Sequence, residues 1–387
     1  MKIIETDEKY LAHTYKRFPV VLKEGKGSLI RDEDGKEYID MGSGIGVTSF
    51  GIADDTWLAA VTAQAAKLQH TSNLYYTEPC TLLAEKLCQK TGMKKVFFSN
   101  SGAEANECAI KAARKYAAEK KGAEYSTIVT LNNSFHGRTL TTLAATGQEH
   151  YHELFQPLTP GFVSADSEDI GELNNICDIY KVAAIMIECI QGEGGVNVLN
   201  PAFVSAAVKL AHERDILVIT DEVQTGNGRT GKFYSYMHYN FTPDIITTAK
   251  GLGGGLPIGA TLFGEKTESV FDYGDHGSTF GANPVCCAGA ISILDRLDDA
   301  LMEKVMEKSQ FLFSEFQGTD GIESVSGIGL MIGLKTVKPA ALVVQECLAN
   351  GVLCLTAKDR VRLLPALTIT MDELKKAAAV IKAACTD

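Results

Sequence analysis

Between residues 95 and 250 the chain repeatedly gathers β-branched and apolar residues into short, almost unbroken runs. Residues 96–99, 127–131, 183–188, 216–220 and 244–249 each have the length of a strand. A strand buried on one face alternates polar and apolar residues, and these do not. They read as strands buried on both faces, in a mostly parallel sheet covered by helices. Helical spacing agrees: Ala105, Ala109, Ala112, Ala113 and Tyr116 recur on one face over 104–118, and 201–214 is amphipathic with Pro201 at its start. Polar residues stand just beyond the runs, at Asn100-Ser101, Asn132-Asn133, Glu188, Asp221-Glu222 and Lys250. Ligands of open α/β sheets bind outside the carboxyl ends of the strands, so the chemistry is expected there.

The rest of the chain reads differently. A helical stretch over about 284–315 precedes an apolar run at 328–334, a helix over 339–350, short strands at 352–354 and 361–363, and a last helix from Met371. That order describes a smaller α+β domain. Near the start, 29–32 and 38–40 flank Asp34-Gly35 as a short hairpin. The expected division is 1–45 as a segment contributing to the small domain, 46–284 as the large domain and 285–387 as the small one.

A net charge of -11 argues against a broad nucleic-acid-binding face, and no basic segment offers a DNA-binding module. No apolar run has the length to span a bilayer, and the mixed, acidic N-terminus resembles no targeting segment. The ten cysteines form no CxxC pair and no cluster at metal spacing. They read as free thilos of a protein in a reducing cytoplasm, with no metal centre.

Four segments carry candidate chemistry. Asn100-Ser101-Gly102-Ala103-Glu104 joins a strand to a helix, where free N–H groups favour a phosphate, although a plain capped helix fits it equally well. Phe135 and Arg138, in Ser134-Phe135-His136-Gly137-Arg138-Thr139, offer a stacking ring and a carboxylate fork. Asp221 and Glu222 end a buried strand and need partners there, a protonated ring nitrogen or a helix cap. Lys250 ends another strand before Gly251-Leu252-Gly253-Gly254-Gly255, in apolar surroundings that lower an amine's pKa and make it a nucleophile. No GK[ST] follows the glycines, so this is not a P-loop.

Taken together, in this order and spacing, the segments resemble the class III aminotransferases of the fold-type I pyridoxal-phosphate enzymes. The resemblance runs from Asp40-Met41-Gly42-Ser43-Gly44 to Val361-Arg362-Leu363-Leu364-Pro365. It implies a large domain with a mostly parallel central sheet, a smaller α+β domain and pyridoxal 5'-phosphate as cofactor. It makes Lys250 the lysine that carries the cofactor as a Schiff base, and Asp221 the partner of the pyridinium nitrogen. Gln224 would bond the ring oxygen, Phe135 would stack on the ring, Gly102 and Ala103 would bind the phosphate, and Glu222 and Val223 would complete the cofactor contacts. Thr279, in Ser278-Thr279-Phe280-Gly281-Ala282-Asn283, would reach the phosphate bound by the neighbouring subunit of a homodimer, with Ser278 near the substrate.

Arg138 and Arg362 would hold the carboxylates of the amino donor and of glutamate or 2-oxoglutarate, with Glu193 gating Arg362. The donor implied is N2-acetyl-L-ornithine, reacting at its terminal amine; ornithine, succinyldiaminopimelate and 4-aminobutyrate are the alternatives. Cys189 and Ala366 depart from the family pattern, which has proline at both positions.

Overall fold

The computed structural model describes residues 2–386. Its centre is a seven-stranded sheet in the order Lys95–Ser99, Gly259–Phe263, Ile245–Thr248, Leu217–Asp221, Val182–Ile187, Thr127–Leu131, Phe162–Ala165. Gly259–Phe263 is antiparallel to both of its neighbours, and the other six strands run parallel to one another. All five inner strands are buried along their whole length, which explains the unbroken hydrophobicity of the parallel ones.

Alternate residues serve opposite faces. Leu217 and Ile219 pack with Ile128, Ala184, Met186 and Ile245 beneath the alanines of the helix Gly102–Lys121. Val218 faces the other way, with Val129, Ile185, Ile246 and the helix Pro201–Glu213, through Phe203, Val204 and Ala207. Each such aliphatic side chain contributes roughly 1.5–3 kcal/mol by leaving water. The two helix layers therefore hold the sheet rigid beneath its carboxyl edge.

The second unit is a four-stranded antiparallel sheet, Ile322–Ile328, Met331–Thr336, Arg360–Leu363 and Leu355–Ala357, with its own apolar cluster. The helices Asp299–Phe316, Ala340–Ala349 and Met371–Cys385 supply much of that cluster. The strands Leu22–Lys26, Leu29–Asp32 and Glu37–Asp40 form a further sheet, which Val352–Leu353 joins in parallel. Backbone hydrogen bonds thus tie the N-terminal hairpin to the C-terminal region.

Two expected elements divide. The helical stretch over 284–315 is two helices, Pro284–Leu294 and Asp299–Phe316, because the Asp298 carboxylate accepts from Leu301 N and caps a new start. The first of them supplies Cys286, Cys287 and Leu294 to the large-domain cluster and Ile293 to the small-domain one. The run at 328–334 is the turn of a hairpin, with Gly329 at φ 62 between its strands. The turn residues Gly329 and Leu330 are as buried as the arm that follows, so a continuous apolar run does not mark the turn.

Candidate active site

A cleft of about 580 Å³ opens at the carboxyl edge of the large sheet and gathers Asn100, Gly102, Ala103, Phe135, Arg138, Asp221, Val223, Gln224 and Lys250. Lys250 follows the strand Ile245–Thr248 and opens the 3-10 turn Lys250–Leu252 at φ 47. That turn needs close packing: a Cβ on Gly251 would lie 2.6 Å from Ser49 Oγ, and one on Gly253 2.1 Å from Leu256 O. Burial lowers the amine below the ordinary lysine range. The Arg362 cation acts in the same sense, while Glu193, Asp221 and Glu188 oppose it. No described residue hydrogen-bonds the amine.

Asp221 is fixed by three donors. Oδ2 accepts from Asn106 Nδ2 and from His136 Nδ1, each at 2.8 Å, and Oδ1 accepts from Val223 N at 3.0 Å. His136 is buried; burial opposes its charge, but the Asp221 carboxylate outweighs burial and raises its pKa. Neither Asn106 nor His136 stood out in the sequence as a ligand of Asp221. A polar residue on the buried alanine face of Gly102–Lys121 was the available signal for Asn106.

Glu188 ends the neighbouring strand and braces the walls. Its carboxylate accepts from Phe135 N at 2.8 Å and Gly192 N at 3.3 Å. Burial, with the nearby Asp221 charge adding to it and His136 opposing, pushes Glu188 up to about 7. The Phe135 ring borders the cleft edge-on to Tyr151, centroids 5.7 Å apart. Arg138 is exposed, with its guanidinium 4.3 Å from the Tyr151 ring centre and 5.6 Å from that of Phe135. It makes no ion pair among the described residues. Tyr151, absent from the sequence-based set, is what holds it.

At the helix start, Ser101 Oγ accepts from Glu104 N at 3.2 Å, and the Gly102 and Ala103 N–H groups find no acceptor among the described residues. A Cβ on Gly102 would lie 2.6 Å from Val223 Cγ1, so the helix start and the loop after Asp221 touch only because glycine is there.

Arg362 and Glu193 form an ion pair at 2.6 Å, and Arg362 is almost wholly buried. Gln224 bridges them: its Oε1 accepts from Arg362 Nη1 at 3.0 Å and its Nε2 donates to Glu193 Oε1 at 3.3 Å. Burial acts to raise the Glu193 pKa, yet Arg362 brings it below the ordinary range. Both ends of the Gln224 amide are therefore engaged with this pair.

Five expected site residues do not line the cleft: Arg362 and Glu193, which meet its wall through Gln224, and Glu222, Ser278 and Thr279. The Glu222 carboxylate accepts from Thr225 Oγ1, Ser235 N, Ser235 Oγ and Tyr236 N at 2.6–2.9 Å and does not line the cleft. Its side chain secures the 235–236 turn. Ser278 Oγ accepts from Asn100 Nδ2 at 3.2 Å and from Gly281 N at 2.9 Å, at the border of the site. Thr279 is exposed on the surface and outside this cleft.

The cleft fits a planar phosphorylated aldehyde. It offers a buried amine without a hydrogen-bond partner, a fixed carboxylate, an aromatic wall and free N–H groups at the start of a long helix. A family model described as class III aminotransferase matches residues 10–385. An acetylornithine aminotransferase of Haemophilus ducreyi is 49% identical over 382 residues, 98% of this chain and 97% of that protein. Among solved structures, the ornithine aminotransferase of Toxoplasma gondii superposes with a TM-score of 0.94 at 33% identity, covering 99% of this chain and 94% of that one. The N-acetylornithine aminotransferase of Stenotrophomonas maltophilia superposes with a TM-score of 0.86 at 34% identity, covering 98% of each chain. With fold, cleft and relatives in agreement, the chain belongs to the class III aminotransferases, fold-type I enzymes that work through pyridoxal 5'-phosphate.

Proposed function

We propose that the chain transfers the terminal amino group of N2-acetyl-L-ornithine to 2-oxoglutarate, giving N-acetyl-L-glutamate 5-semialdehyde and L-glutamate, a step of arginine synthesis. One observation carries this reading: two guanidinium groups stand at the Lys250 site in opposite conditions, Arg138 lining the cleft and Arg362 behind the cleft-lining Gln224. Arg138 is exposed and held only by aromatic rings, while Arg362 is buried and closed by Glu193. An enzyme that alternates two acids in one site needs both an open carboxylate anchor and a gated one. The names of the similar proteins support the same donor.

Bound pyridoxal 5'-phosphate supplies an electron sink for the pair left when the donor's amine-bearing carbon loses a proton. Lys250 Nζ, buried and depressed in pKa, takes that proton. Asp221, its carboxylate held by Asn106 and His136, would pair with the ring nitrogen. Phe135 would cover the ring face, and the Gly102 and Ala103 N–H groups would hold the phosphate. Arg138 holds the donor's α-carboxylate; Arg362, released by Glu193, holds that of 2-oxoglutarate. Acylation matters because the carboxylates lining the cleft, Asp221 and Glu188, are already engaged, so a free α-ammonium would enter unpaired.

The working unit of this reading is a cytoplasmic homodimer in which Thr279 of each subunit completes its neighbour's phosphate site. Exposed Tyr76, Tyr273 and Phe280 support such a contact, as does Asn73 Nδ2, which bonds Ser278 O and Gly281 O at 2.9 Å and ties two surface loops together. No helix among the described residues is long and apolar enough to cross a membrane. The test of the donor is kcat/KM for N2-acetyl-L-ornithine, ornithine and 4-aminobutyrate, each with 2-oxoglutarate. The acetylated donor is expected to lead by on the order of 10- to 100-fold. A lead for free ornithine refutes the assignment.

A further inference from the structure

Arg229 has no part in the chemistry above, yet it is among the largest fully buried side chains of the molecule. It lies in the loop that follows Asp221 and Gln224. Its Nη1 donates to Leu330 O at 3.1 Å and also to Pro365 O. Its own carbonyl accepts from Leu330 N at 2.9 Å. Leu330 immediately precedes the strand Met331–Thr336, and Pro365 lies just past the strand Arg360–Leu363. These two strands pair, with Gly333 opposite Arg362. One guanidinium from the large domain thus ties the strand that carries Arg362 to the strand paired with it, through carbonyls just beyond their adjacent ends.

The contact is built for closeness. A Cβ on Gly329 would lie 2.6 Å from Arg229 O, so the hairpin turn seats directly on the Arg229 backbone. Both acceptors are neutral carbonyls, and the one carboxylate acting on Arg229, that of Asp40, is hydrogen-bonded to Gly42 N and Ser43 N. Burial pushes the guanidinium down to about 10, with Asp40 opposing. An apolar side chain would fill this space without a desolvated charge. What it would lack is a donor that reaches two backbone carbonyls on separate strands.

We propose that Arg229 is a positioning residue for the acceptor acid: it clamps the small-domain sheet so that Arg362 meets Glu193 and the cleft-lining Gln224 beside Lys250. The proposal rests on the reading of Arg362 as the 2-oxoglutarate anchor. Each kcat/KM of a two-half reaction reports its own half. In the cofactor-loaded Arg229→Gln protein, kcat/KM for 2-oxoglutarate is expected to fall about tenfold or more while that for the amino donor stays within about twofold. Arg229→Lys, which keeps a charge and a single donor nitrogen in place of the planar guanidinium, is expected to fall between Arg229→Gln and the wild type, and it carries the test if the Gln variant does not fold. The visible spectrum of the bound cofactor is expected to be unchanged.

Equal losses for the two substrates would mark a merely structural residue and overturn the proposal, as would no loss in either. Arg362→Ala separates the two claims. If it leaves kcat/KM for 2-oxoglutarate unaltered, the role of Arg362 falls. If it lowers that value and the Arg229 variants do not, the clamp alone falls.

Discussion

Glu188 shows how much one buried acid can set. It hydrogen-bonds the backbone of Phe135 on one side and of Gly192 on the other, so the loops that carry Phe135 and Glu193 share a single carboxyl. Its pKa stands at about 7 in the folded chain, raised from the ordinary 4.5 mainly by burial. Between those values the folded state holds the proton and the unfolded state does not, so this group's contribution to stability declines as pH rises through that window. In Glu188→Gln that decline is expected to vanish, and the difference in Tm between the two proteins should change steadily from about pH 4.5 to 7. Parallel melting curves across that range would contradict it. Lys250, Asp221 and Phe135 were legible because each stands at the end of a recognisable run. Asn106 and His136 were not, since their partner Asp221 lies 115 and 85 residues away in the chain. No local pattern reports a contact of that span.

At the scale of elements, the helix start at Gly102 decides whether a phosphate can approach. Val223 packs where a Cβ would stand, so Gly102→Ala must push the helix start or the loop after Asp221 outward. Such overpacking costs about 1–3 kcal/mol. Retention of the cofactor is expected to weaken by about tenfold, roughly 1.4 kcal/mol, as read by equilibrium dialysis. Unchanged retention would mean that the phosphate lies elsewhere. The strand at Thr127–Leu131 was legible to the residue, because a doubly buried strand has no polar face to blur its ends. The hairpin turn at Gly329 was hidden inside an apolar run, and the strand Gly259–Phe263 inside a glycine-rich segment. Both are defined by what packs against them: Arg229 O at the turn, and Ser101 O at Gly259.

For the whole molecule, the placement of Thr279 matters most. It stands exposed and outside its own cleft, and its proposed role at the neighbouring subunit's phosphate site can be tested directly. Lys250→Ala and Thr279→Ala are each expected to be impaired as homodimers. A hybrid of the two carries one site with both residues intact, so co-refolding is expected to restore roughly half the wild-type activity per hybrid. No gain on mixing would remove Thr279 from the site. The order of motifs implied a homodimer only through the resemblance, whereas the hydrogen bonds of Arg229 to Leu330 O and Pro365 O needed the fold. The most direct measurement is the donor half-reaction: cofactor-loaded protein mixed with N2-acetyl-L-ornithine, without any keto acid, while the visible absorbance of the bound cofactor is followed. The account expects rapid loss of the band in the wild type and none in Lys250→Ala; loss at an undiminished rate in the variant would contradict it.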